Sequence, residues 1–133
     1  MTPPRVAVPV PGTHEAAVVV PAPSNGPGAW AGAPATALDA DGSIVLAYRL
    51  RDVARRGGQT IVARSSDGVA ATTVAILDKD RFGAESLERP AIVRTDDGRW
   101  RLYVCCATPG SKHWRIDILE ADDPAGFSQA PAR

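Results

Sequence analysis

Ala33-Pro34-Ala-Thr-Ala-Leu-Asp39-Ala-Asp41-Gly42-Ser-Ile-Val-Leu-Ala-Tyr48 decides how this chain folds, because the same text is written twice. The second copy is Arg89-Pro90-Ala-Ile-Val-Arg-Thr95-Asp-Asp97-Gly98-Arg-Trp-Arg-Leu-Tyr-Val104. Pro34 and Pro90, Asp41 and Asp97, Gly42 and Gly98, and Leu46 and Leu102 each stand 56 residues apart. Each copy reads as strand, Asp-Gly turn, strand, a strong short-range hairpin signal. A third apolar run follows in both, Gln59–Ser65 and Trp114–Glu120, ending at Asp67 and Asp123, again 56 apart. Thr72–Leu77 supplies a fourth strand to the first copy, and Gly126-Phe127 is expected to begin its counterpart. Strands are expected near 35–40, 43–50, 59–65, 72–77, 90–95, 99–106 and 114–120.

Alternation assigns the faces. Ile44, Leu46 and Tyr48 alternate with Val45 and Ala47, and Trp100, Leu102 and Val104 alternate with Arg101 and Tyr103. A four-stranded antiparallel unit repeated every fifty-odd residues reads as a propeller blade, with a sandwich of two meanders as the rival arrangement. The expected fold is all-β: two consecutive four-stranded antiparallel blades of a partial β-propeller. The expected divisions are a Pro/Ala-rich lead over 1–29 with an edge strand at Glu15–Val20, blade one over 30–84 and blade two over 85–133. Five blades at this period take about 280 residues. The 133 residues therefore read as the N-terminal portion of a propeller, or a protomer that completes itself by association. The face carrying Trp100, Leu102, Val104 and Ile116 or Ile118 is expected to lie open for want of a third blade, which favours self-association.

Composition narrows the function. Fifteen basic side chains balance fifteen acidic ones, and there is no basic run of five or more, which argues against nucleic acid as the partner. Prolines at 3, 4, 9, 11, 21 and 23 interrupt the early apolar runs, so neither a signal peptide nor a membrane span is expected. Adjacent Cys105 and Cys106 point to opposite faces of a strand, and read as reduced thiols in a cytoplasmic protein. His14, His113 and the cysteines lack metal-ligand spacing, and neither Gly57-Gly58 nor Asn25-Gly26-Pro27-Gly28 matches a phosphate or dinucleotide loop. No metal and no cofactor are expected.

Glu88-Arg89-Pro90-Ala-Ile-Val, with Asp97-Gly98-Arg-Trp-Arg-Leu-Tyr103, resembles a blade opening of the five-bladed β-propeller glycosidases, glycoside hydrolase family 43 and its relatives. Gly32-Ala33-Pro34 with Asp41-Gly42 and Leu46-Ala-Tyr48, and Val62-Ala-Arg-Ser-Ser-Asp67-Gly68, resemble the same grammar over residues 30 to about 127. The resemblance implies action on glycosyl bonds by an Asp at the start of the first blade, with a second Asp and a general-acid Glu from later blades. Glycoside hydrolysis needs two carboxyl groups flanking the bond, one protonated and one ionised. The first-blade position before Pro34 is Ala33, so this chain lacks that Asp. It reads as a glycosidase-like portion with a carbohydrate-facing surface, catalytically incomplete alone. The alternative is a non-catalytic carbohydrate-binding or protein-interaction module.

Meander geometry sorts the loops onto two rims. One rim gathers Trp30–Ala33, Arg49–Gly58, Phe82–Arg89 and Ala107–His113, and the other holds the compact Asp-Gly turns. Longer loops carry function more often, which makes the first rim the candidate surface. The candidate catalytic carboxylates are Glu85 and Glu88. The candidate substrate-binding residues are Trp30, Arg49, Glu88, Arg89, Lys112 and His113. Glu88 beside Arg89 reads either as a polar sugar pocket or as a blade-to-blade ion pair. Arg49, Arg51, Arg55 and Arg56 read either as a solvated loop face or as an anion site. Trp30 reads either as a sugar platform or as core packing, Trp100 reads as core, and Trp114 stays open.

Overall fold

The computed structural model describes Gly12 and residues 16–133. Four strands, β1 (Trp30–Leu38), β2 (Ile44–Arg51), β3 (Gln59–Ser65) and β4 (Thr72–Asp78), form an antiparallel meander in that order. A second antiparallel meander holds β5 (Ala91–Arg94), β6 (Trp100–Ala107) and β7 (Trp114–Ala121). Among the described residues, helical structure is confined to two 3₁₀ turns, Lys79–Phe82 and Pro124–Ser128. The protein is all-β, as the repeat predicts.

The two hairpins close identically at the repeat spacing. Asp39 N–H donates to Ser43 O and Gly42 N–H to Asp39 O; Thr95 N–H donates to Arg99 O and Gly98 N–H to Thr95 O. Gly42 and Gly98 take φ of 84° and 83°, the left-handed region that L side chains disfavour. Each Asp-Gly pair thus ends a three-residue hairpin loop with glycine in its last place.

Side-chain alternation, fixed by register, decides the packing. Trp100, Leu102 and Val104 stand opposite Ala121, Leu119 and Asp117, whereas Tyr103 and Cys105 stand opposite Ile118 and Ile116. Trp100, Leu102 and Val104 are buried in one core with Val45, Ala47, Val62, Ala75 and Leu77 of the first sheet. The front of the second sheet therefore packs on the back of the first. The expectation that the Trp100 face lies open is wrong, because the first sheet covers it. Ile116 does not share that face, and it is Ile116 and Trp114 that stand exposed, at 62% and 52%.

Two further expectations are corrected. Gly126-Phe127 begins no strand: Asp123 Oδ1 accepts the Ala125 N–H, Pro124 lacks an N–H for a ladder, and the chain turns 3₁₀, burying Phe127 in the shared core. The fourth place in the second sheet is instead approached by Arg133, which exchanges both backbone hydrogen bonds with Ile118. Residues 16–20 form no edge strand; Val20 packs on the open face of the first sheet against Tyr48, Ile61 and Ala63. Glu15 and His14 lie outside the described residues. Among the described residues, no helix is long and apolar enough to cross a membrane.

Candidate functional site

The corner where the two sheets meet is built from equivalent positions of the repeat. β1 carries a bulge between Gly32 and Ala35, so that Ala33 and Pro34 face a single register step of β2. Ala33 adopts φ of 53°, the one positive φ outside glycine among the described residues. At the equivalent place in the second repeat, the segment before β5 runs beside the end of β6. Glu85 N–H donates to Ala107 O, Glu88 N–H donates to Cys105 O, and Leu87 bridges Cys106. Ala33-Pro34 and Arg89-Pro90 thereby form opposite walls of one cleft, about 560 Å³, completed by Trp30 and Arg49.

Gly57 holds the two walls together. Its N–H side of the chain lies in the β2–β3 loop at φ of 55°, and its carbonyl accepts the Leu87 N–H at 2.7 Å. A Cβ there would lie 2.6 Å from Leu87 O, so no other residue allows this approach. Gly32 serves Trp30 in the same way. A Cβ on Gly32 would meet Trp30 Cε3 and Cζ3 at 2.8 Å, so the bare glycine makes room for the indole. Arg49 is the register partner of Gly32 and stacks its guanidinium 4.2 Å from the Trp30 ring centroid.

Arg49 is 8% exposed, so the solvated-loop reading fails for it. It is ion-paired to Glu88, whose side chain is 17% exposed. The ion pair joins the two sheets, and Glu88 also borders the hollow beside the cleft. Ser86 Oγ donates to Glu88 Oε1 at 3.2 Å. Burial, then the neighbouring guanidinia of Arg51, Arg56 and Arg89, pushes Arg49 below its ordinary pKa. Two buried polar atoms have no hydrogen-bond partner among the described residues, Arg49 Nε and Thr60 Oγ1. They belong to directly opposite residues of β2 and β3.

Glu85, Lys112 and His113 lie elsewhere. They line a separate hollow of about 470 Å³ with Arg55, Arg56, Lys79, Ser86 and Trp114. A third hollow, lined by Arg56, Glu88, Arg89 and Trp114, joins the two, sharing Arg89 with the first and Arg56 and Trp114 with the second. The rim predicted from the meander is real, but its candidate residues fall into two groups about a shared edge. Sequence reasoning missed Gly32 and Thr60. Thr60 was within reach, since pairing β2 with β3 across their loop sets it opposite Arg49.

The chemistry of the cleft follows from these contacts. A carboxylate held by Arg49 and Ser86 accepts hydrogen bonds, and guanidinia at the edge donate them. With Glu85 in the other hollow, Glu88 is the single candidate carboxylate beside the cleft among the described residues, and these two do not form an acid–base pair there. No group of three or more His, Cys, Asp or Glu side chains converges among the described residues. Cys105 and Cys106 are free thiols; burial, then Asp117, pushes Cys106 up to about 12, which makes it an inert core residue.

No protein-family model and no curated protein sequence matches the chain. Solved structures do. A Parabacteroides distasonis protein provisionally described as a glycoside hydrolase superposes over 77% of this chain and 31% of its own, at 21% identity and TM-score 0.58. The same coverage and TM-score, at 22% identity, hold for a structure described under the GH130 family of mannoside phosphorylases, which contains glycoside hydrolases that target beta-1,2 mannosidic linkages in Candida mannan. An endo-1,5-α-L-arabinanase from Thermotoga petrophila overlaps less well, at 17% identity, 76% of this chain, 24% of its own and TM-score 0.47. At such identities the likeness is one of fold: the two sheets are arranged as in glycoside hydrolase structures, and nothing in it singles out family 43. The chain spans about a third of the length of the first two structures.

Proposed function

We propose that the corner cleft is a carbohydrate-binding surface on a pair of glycosidase-like blades, and that these residues bind a glycan without completing the hydrolytic machinery. The convergence of Trp30, Arg49, Glu88 and Arg89 at the meeting of the two sheets carries the reading. Sugar hydroxyls match a corner that offers guanidinium donors in the cleft and a fixed carboxylate acceptor in the hollow beside it. The lone carboxylate favours binding over catalysis, so a non-catalytic module remains the second reading. Titrating the chain with mono- and oligosaccharides while following the three indole N–H signals by NMR tests it. Trp30 should shift and Trp100, buried in the core, should not; an unmoved Trp30 across the panel contradicts the proposal. Aryl arabinosides, xylosides and fructosides should not be turned over.

The open back of the second sheet, with Trp114 and Ile116, repeats the place of the first-sheet face that the second sheet covers. We propose that a second copy of the chain docks there by its Ile44-Leu46-Tyr48 face, which repeats the covering Trp100 face. Sedimentation velocity over a concentration series should show association, abolished by Ile116→Lys; a monomer throughout contradicts it. The free Cys105 and buried Cys106 suit a reducing compartment such as the cytoplasm.

A further inference from the structure

Among the described residues, four guanidinia surround the corner and one carboxylate answers them. Arg49 and Arg89 line the cleft itself. Arg51 follows two places after Arg49 on β2, on the same face, and Arg56 shares the adjoining hollow with Arg89 and Glu88. Glu88 is already spent on Arg49. The other nearby acidic groups are committed away from the cleft: Asp52 accepts the Arg55 N–H at 2.5 Å, and Asp78 and Asp80 hold the Arg55 guanidinium at 2.9 and 3.2 Å.

The buried end of this cluster is also incompletely bonded. Among the described residues, Arg49 Nε and Thr60 Oγ1, on opposite residues of adjacent strands, lack partners. A buried donor without an acceptor is costly, and a guanidinium satisfies its donors best with a bidentate anion. Arg49 cannot turn away to water, because the Trp30 ring lies against its flat face at 4.2 Å and Glu88 holds its end. The same stacking occupies one face of Trp30, which makes the indole a positioning group for Arg49 before it is a platform for a sugar.

We propose that the cleft recognises a saccharide through an anionic substituent, a sugar carboxylate or phosphate ester, taken between the cleft-facing edges of Arg49 and Arg89. The proposal deepens the carbohydrate reading and rests on it. Arg89 is the natural probe because it is exposed, so its removal does not disturb the core. Arg99, on the other rim and paired with Asp122, is the matched control.

The test is calorimetric titration of the full chain with the methyl glycosides of glucuronate, galacturonate and mannuronate, their neutral parents, the parent 6-phosphates, and inorganic phosphate. At least one acidic sugar should bind about tenfold tighter than its neutral parent, the scale of one charge-assisted hydrogen bond. That preference should vanish in Arg89→Gln, persist in Arg99→Gln, and shrink in 0.5 M salt, where the Debye length is only a few ångströms (~4 Å). Carboxylate against 6-phosphate identifies which substituent is read. Neutral and acidic sugars binding alike overturns the anion inference and leaves the carbohydrate reading standing. Inorganic phosphate binding without any sugar overturns both, as does failure of every ligand to bind. An acid preference that survives Arg89→Gln also overturns the inference.

Discussion

Trp100, Leu102 and Val104 on β6 and Ile44, Leu46 and Tyr48 on β2 hold the same places in the repeat, yet they live in different surroundings. The first three are at most 2% exposed, pressed onto the back of the other sheet. The second three face an apolar hollow of about 380 Å³, with Val19, Val20 and Ala31 as company. A strand's alternation states which face is apolar. Whether that face is covered depends on what stands beside the sheet, which no single strand encodes.

Breaking the covered face should therefore cost far more than breaking its twin. Trp100→Ala is expected to destabilise by about 4 kcal/mol and Ile44→Ala by less than about 1.5 kcal/mol, measured by urea denaturation. Equal losses would remove the distinction. Next in size is the ion pair across the sheets. Glu88→Gln leaves the Arg49 guanidinium buried beside a neutral partner and should cost about 2 kcal/mol. Replacing both, Arg49→Met with Glu88→Leu, should recover most of that loss, because an apolar pair leaves no unpaired charge. The bulge corner at Ala33 and its repeat equivalent at Arg89 offer a smaller contrast. Ala33 sits at φ of 53° and Arg89 does not share that conformation, so Ala33→Gly should gain about 1 kcal/mol while Arg89→Gly gains nothing.

The smallest effect is electrostatic. The hydrogen bond from Arg64 is the largest influence holding the Asp39 carboxyl below its ordinary value of 3.8. A carboxyl lowered on folding contributes stability that is complete above its unfolded value and lost as pH falls through the folded one. Stability should thus decline below about pH 4, and less steeply in Arg64→Gln, as followed by denaturation midpoints across pH 2–6.

Much of this was legible in the residues. The repeat at 56 gave seven strands within a residue or two, except that β1 begins at Trp30 rather than near 35. Pro34 reads as a strand start because it lacks an N–H, but the bulge at Ala33-Pro34 takes that missing donor out of the ladder and lets the strand run through. The grouping of Trp30, Arg49, Glu88 and Arg89 also followed from the rim, since strand order alone brings those loops to one edge. The burial of Arg49 did not, because the second sheet imposes it. Nor did the separation of Glu85 from Glu88: the backbone of 85–88 pairs with the end of β6, so these two side chains, three residues apart, face different hollows.

The central claim is that the two repeats share one core, front of the second sheet on back of the first, and so fold as one unit. Native-state amide hydrogen exchange measures this directly, because opening free energies reveal which segments unfold together. The slowest amides of β3 and β6 should exchange at one common free energy, equal to that of global unfolding, and Trp100→Ala should lower both by the same amount. Protection that persists in β6 while β3 exchanges by a separate, cheaper opening would show two independent sheets and contradict the account.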